Sequence, residues 1–138
     1  MIIVDTGPIV ALVNLDDDNH GRIDRAMEFV QWPLVTTQAC LTEALYLIGK
    51  VLAWRGQKGL WTLIDDDVLR IATYSADDMS RASRYMERYR DIPCDFADAT
   101  LLVAAESLNL RRIFTFDSHF YAYRLLSSGV ALDVYPGL

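Results

Sequence analysis

Short, uninterrupted apolar runs rich in β-branched residues alternate along this chain with longer segments whose apolar residues recur every three or four positions. The first kind reads as strands buried on both faces, the second as amphipathic helices. Ile2, Ile3 and Val4 open the chain as a strand that stops at Asp5, and Pro8 starts a helix through Ile9 to Asn14. A polar turn, Asp16 to Asn19, leads to a second helix over Arg22 to Gln31, which Pro33 ends. Leu34 to Thr36 is a second strand. Thr37 caps a helix from Gln38 to about Trp54 with an apolar stripe of Leu41, Ala44, Leu45, Ile48, Val51 and Leu52. Arg55 to Gly59 reads as a turn, Leu60 to Ile64 as a short helix, and Val68 to Thr73 as a third strand.

Ser75 and Asp78 form a capping box that opens a helix to about Arg90. After Pro93, Asp95 opens a further helix to Leu108. Ile113 to Phe116 is a fourth strand ending at Asp117, a short helical piece follows, and Ala131 to Tyr135 is the last strand. Strands alternating with helices predict a three-layer α/β/α sandwich around a mostly parallel sheet of about five strands. No repeat, low-complexity tract or linker divides the chain, so residues 1–138 are expected to form a single domain.

Composition narrows the setting. The chain is 52% hydrophobic and 23% charged, as in a globular domain. No apolar run approaches the roughly 20 residues that cross a bilayer, and the N-terminus lacks the basic region and cleavage site of a signal peptide. Cys40 and Cys94 lack metal-site spacing and are too few for a disulfide framework, so a reduced, cytoplasmic protein without membrane attachment is expected. The net charge of −6 argues against a broad basic nucleic-acid surface, but leaves room for a small acidic site that handles nucleic acid through cations.

Four acids stand out against this pattern. Asp5 and Asp117 follow buried strands, Asp98 lies in the first turn of an apolar helix, and Glu43 has the apolar helical neighbours Ala39, Cys40, Tyr46 and Leu47. Singly, each has a simpler reading: Asp5 and Asp117 as caps, Asp98 as an acid favoured by the helix dipole, Glu43 as a surface residue. Together they gather on one edge of a parallel sheet, where ligand sites form. Such a cluster would repel itself unless hard cations bridged it; Mg²⁺ or Mn²⁺ suits an all-oxygen set.

The blocks IIVDTGPIVALV, LTEALYLI, DFADATLLVAAESLNL and RRIFTFDSHF occur in this order across essentially the whole chain. In them the sequence resembles the PIN-domain ribonucleases, and among these the VapC-type toxins of toxin–antitoxin pairs. The resemblance implies an acidic metal site at Asp5, Glu43, Asp98 and Asp117. Thr6 and Thr115 fall at hydroxyl positions beside the first and fourth acids, and Asp95 is a helix cap or supporting acid one turn before Asp98. It also implies metal-assisted hydrolysis of RNA phosphodiesters to leave a 5′-phosphate and a 3′-hydroxyl. A cognate antitoxin and a homodimer are its implied partners. The RNA cut, and whether one or two metals bind, are not legible in these residues.

Other features read more simply. Arg81, Arg84 and Arg88 share a helical stripe with Asp77, Asp78 and Glu87 at pairing distance, as on a solvated face. Arg111 and Arg112 precede the fourth strand, away from the acidic edge. His119, two residues after Asp117, reads as a loop histidine, with contact to substrate as the alternative. Trp32, Trp54, Trp61 and Tyr46 are expected in the core, with a partner-binding groove as the alternative. A phosphatase or receiver domain with a phosphoryl-accepting Asp5 would need a lysine near a later strand end, and only Lys50 and Lys58 exist, in a helix and a turn. The alternative of another class is a non-catalytic PIN-fold module that binds RNA or protein.

Overall fold

The computed structural model describes residues 1–18, 20–28, 30 and 32–136. Asn19, assigned above to the polar turn, and Gln31, assigned to the end of the second helix, lie outside them. The elements run β1 (Ile2–Val4), α1 (Thr6–Val13), α2 (His20–Met27), β2 (Leu34–Thr37), α3 (Gln38–Asp65), β3 (Leu69–Ala72), α4 (Ala76–Arg88), α5 (Phe96–Leu108), β4 (Arg112–Phe114), a 3-10 turn (Ser118–Tyr121) and β5 (Asp133–Tyr135).

The five strands form one sheet in the order β3-β2-β1-β4-β5, and every pairing is parallel. Ile3 of β1 is paired with both Val35 and Ile113, so the first strand is the centre of the sheet. From β1 the chain builds outward through β2 and β3, then returns to place β4 and β5 on the other side. The reversal puts a crevice beyond the carboxyl ends of β1 and β4, the usual place for a ligand in such a sheet.

Strand alternation sorts the core onto two faces. Ile3 and Ile113 pack with Leu101, Leu102, Tyr85 and Phe120, beneath α4 and α5. Ile2, Val4 and Phe114 pack with Ile9, Ile23, Ile48 and Leu60, beneath α1, α2 and α3. This is the predicted α/β/α sandwich. The helix starts follow the sequence closely: Ser75 and Asp78 close a reciprocal capping box, and Asp95 and Thr37 cap α5 and α3.

Several boundaries differ for local reasons. The second helix begins at His20, two residues before the expected Arg22, because its backbone N–H donates to Asp17 O and its ring bonds Ala11 O. Instead of a turn over Arg55 to Gly59, α3 runs to Asp65 through a single kink at Ala53, where φ is 54°. The glycine has another use: a Cβ on Gly56 would sit 2.5 Å from Leu52 Cβ and 2.7 Å from Ile48 Cγ2, so glycine lets the segment after the kink close on the one before it. The last two strands are shorter than predicted, since Phe116 lies beyond β4 and Ala131 makes only an isolated antiparallel bridge to Arg124.

The large aromatics correct the expectation of core packing. Trp54 is 62% exposed and Tyr46 64%, and Trp32 and Trp61 are exposed as well. Tyr46, Trp54 and Trp61 lie on α3, where Leu47 and Val51 are exposed as well. Arg81 does pair with Asp78, at 3.0 Å, and adds Glu106 of α5 at 3.1 Å, tying the two helices together.

Candidate metal centre

The sheet edge assembles the acids from four parts of the chain. Asp5 stands in extended backbone between β1 and α1, where it is the N-cap of α1: Thr6 N–H donates to its Oδ1 at 2.7 Å. Its Oδ2 accepts the Thr115 hydroxyl at 2.8 Å, and that hydroxyl in turn accepts the Asp117 N–H at 2.9 Å. One buried threonine thus links the residues beyond β1 and β4. Asp117 also caps the 3-10 turn through His119 N–H. The simple capping readings of Asp5 and Asp117 are therefore correct as far as they go, and each carboxylate faces the other acids as well.

Asp98 is the most enclosed of the four, with 8% of its surface exposed. Asp95, the N-cap of α5, accepts the Asp98 N–H at 2.8 Å. The Asp98 Oδ2 accepts the phenol of Tyr123 at 3.0 Å. Burial, then the charge of Asp95, raise the Asp98 carboxyl from 3.8 to about 7; Tyr123 opposes, and Asp5 and Asp117 raise it further. Asp5 is also raised, first by burial, against the bonds from Thr115 and Thr6, and then by Asp117 and Asp95. The charges acting on these groups are other carboxylates, so the cluster is electrostatically uncompensated.

Glu43 corrects an inference. Its apolar neighbours suggested burial, yet Glu43 is exposed, because Tyr46 and Leu47 beside it are exposed too. It stands on the rim of an open cleft of about 760 Å³ that Gln38, Tyr74, Asp95 and Phe96 also line. Its carboxyl end still turns toward the cluster: partial burial, then Asp95 and Asp5, raise it, with Thr6 opposing.

The supporting residues divide. Thr115 holds Asp5 through its hydroxyl, whereas Thr6 does so through its backbone and gives its own hydroxyl to Cys40 O at 3.5 Å. Three residues outside the sequence-derived set also reach the site. His119 lies with Asp98 and Asp117 so that one donor atom from each falls within 4.8 Å of the others, and its Nδ1 is 3.5 Å from Asp117 Oδ1. The Asp-x-His spacing of Asp117 and His119 was its only signal. Tyr123 and buried Cys40, whose Sγ is 4.0 Å from Asp5 Oδ1, carried none, since only the folded chain brings them to the acids.

Carboxylates gathered in a crevice, where burial first and neighbouring negative charge second raise Asp5, Asp98 and Glu43, form a donor set suited to a hard divalent cation. Among the described residues Asp98, Asp117 and His119 bring one donor atom each within 4.8 Å of the others and could hold it, while Asp5 and Glu43 lie beside them and act on the group through their charge.

The PIN domain family model matches residues 2–125. Among solved structures, Mycobacterium tuberculosis VapC20, described as a sarcin–ricin loop cleaving toxin, superposes with a TM-score of 0.80 at 24% identity, covering 88% of this chain and 94% of that one. A toxin–antitoxin complex from Klebsiella pneumoniae gives 0.67 at 17% identity, with coverage of 95% and 96%. VapBC2 from Rickettsia felis, bound to a DNA fragment of its promoter, gives 0.66 at 16%, with coverage of 97% and 98%. No curated protein matches the chain by sequence. The family model spans nearly all of the chain, and this chain belongs to the PIN-domain family.

Proposed function

We propose that the chain is a divalent-metal-dependent endoribonuclease, the toxin of a toxin–antitoxin pair, built as one PIN domain over residues 1–138. The observation that carries this reading is the uncompensated cluster of Asp5, Asp98 and Asp117, with Glu43 on its rim. A fold that only bound RNA or protein would gain nothing from acids that repel one another in a partly buried crevice.

Mg²⁺ or Mn²⁺, when bound, supplies the positive charge that activates water and offsets charge on the phosphate in the transition state. The protein's own contribution is placement. Thr6 N–H and the Thr115 hydroxyl fix both oxygens of Asp5, the α5 cap sets Asp98, and the 3-10 turn sets Asp117. Glu43, with one side to solvent, is placed to accept a proton from water entering along the cleft. The substrate in this reading is a single-stranded or structured RNA, in which phosphate is accessible.

The structures of similar fold include toxin–antitoxin complexes, which supports an antitoxin as partner. The exposed aromatic stripe of α3 supports a homodimer or an antitoxin contact. Among the described residues no helix is long and apolar enough to cross a membrane, which agrees with a cytoplasmic location.

The test is cleavage of a mixed RNA pool by purified protein with Mg²⁺ or Mn²⁺, beside Asp98→Asn and an EDTA control. Cleavage by the wild type alone, abolished by EDTA, is expected. Equal cleavage by Asp98→Asn rejects the site, and no cleavage by wild type favours the binding module.

A further inference from the structure

Tyr123 is fully buried two residues past the 3-10 turn, yet its hydroxyl ends on a carboxylate of a different element, Asp98 Oδ2, at 3.0 Å. A buried phenol needs a partner for its O–H. This one has taken an acid of the candidate metal centre.

Packing allows the ring little freedom. It meets Tyr89 at 5.1 Å between centroids and Phe120, edge to face, at 5.1 Å. Phe120 belongs to the 3-10 turn that Asp117 caps. The same short segment therefore carries Asp117 and His119 at one end and, at the other, the hydroxyl that holds Asp98, although Asp98 itself lies in α5.

We infer that Tyr123 is the positioning residue of the metal centre: it occupies one oxygen of Asp98 and so leaves the other to face Asp117 and His119. The inference rests on the reading of these acids as a cation site. With Oδ2 engaged by the phenol, Asp98 would have Oδ1 to offer to a cation. Without the phenol, the carboxylate is free to turn, and the spacing between the α5 acid and the turn acid is no longer set. Groups that orient metal ligands commonly account for about 10–100-fold in metal affinity or activity.

The test compares Tyr123→Phe, which keeps the ring and loses the hydroxyl, with Tyr89→Phe. The latter removes a hydroxyl that, among the described residues, bonds the Arg124 backbone, in the same aromatic cluster. Mn²⁺ affinity is measured by calorimetry and by electron paramagnetic resonance on the full chain, with thermal melting in EDTA and RNA-cleavage kinetics beside it. Tyr123→Phe is expected to weaken Mn²⁺ binding by roughly 10-fold, and to lower kcat at limiting Mn²⁺ while leaving KM for RNA unchanged. Saturating Mn²⁺ should restore part of the loss. Tyr89→Phe should melt lower and bind Mn²⁺ as the wild type does. Mn²⁺ affinity of Tyr123→Phe within twofold of wild type, or an equal loss in Tyr89→Phe, overturns the inference. If the wild type binds no Mn²⁺, the cation-site reading falls and the role of Tyr123 with it. If the wild type binds Mn²⁺ but cleaves no RNA, the nuclease reading fails, and the affinities alone decide for or against Tyr123.

Discussion

The Thr115 hydroxyl donates to Asp5 Oδ2 at 2.8 Å, joining residues 110 positions apart across the junction of β1 and β4. The Thr115 hydroxyl oxygen in turn accepts the Asp117 N–H, so a single buried side chain sets the spacing of two acids at the switch point of the sheet. Thr115→Val keeps the shape and removes both bonds. It is expected to reduce Mn²⁺ affinity by about tenfold and stability by about 1 kcal/mol, read by calorimetry and by urea unfolding in EDTA. Unchanged Mn²⁺ affinity would reduce Thr115 to a packing residue.

Asp98 makes the metal-free protein pH-sensitive. Its carboxyl is raised from 3.8 to about 7 in the folded state, chiefly by burial and by Asp95. Between these values the folded protein holds more protons than the unfolded chain, so stability falls as pH rises. The destabilisation is absent below about pH 4 and complete above about pH 7; Asp5 adds in the same direction. The melting temperature in EDTA should therefore drop from pH 5 to pH 8, apart from contributions of other groups, and Mn²⁺ should recover it at pH 8 by mass action. Asp98→Asn should flatten the profile and stabilise the metal-free protein at pH 8 by on the order of 2 kcal/mol. A melting profile identical to wild type would refute the assignment.

Glu43 should behave differently from its three companions because it is exposed. Glu43→Gln is expected to leave the unfolding free energy in EDTA within the roughly ±0.5 kcal/mol typical of surface changes, while RNA cleavage falls at least tenfold. Wild-type cleavage by Glu43→Gln would remove it from the site.

How far these acids could be read from the sequence depended on what fixed each one. Asp5, Asp95 and Asp117 follow from local chemistry, since a carboxylate after a buried run or before an apolar helix caps the next turn wherever the chain goes. Their convergence follows from parallel topology, which the alternation of strands and helices already implied. Glu43 was singled out on a mistaken premise: apolar neighbours report composition, and only the fold shows that Tyr46 and Leu47 are exposed. The aromatics misled for the same reason. The kink at Ala53 has no local signal, because alanine rarely adopts a positive φ and the close packing that Gly56 permits is a tertiary property. Tyr123 was invisible because its role is a contact between elements.

Asp95 separates the two roles that a capping acid can combine. It accepts the Asp98 N–H at the start of α5, and its charge raises Asp98 and Glu43. Asn caps helices about as well as Asp, whereas Ala loses the cap at a cost of about 1 kcal/mol. Asp95→Asn should therefore retain the fold and, by removing one repelling charge, raise the stability of the metal-free protein at pH 8. Asp95→Ala should combine that gain with the lost cap and come out less stable than Asp95→Asn by about 1 kcal/mol. Mn²⁺ titration then assigns the charge: a loss of affinity in both variants makes Asp95 part of the cation's field, and unchanged affinity in Asp95→Asn leaves it a cap alone. We expect the first, because Asp95 is the leading charge acting on Asp98.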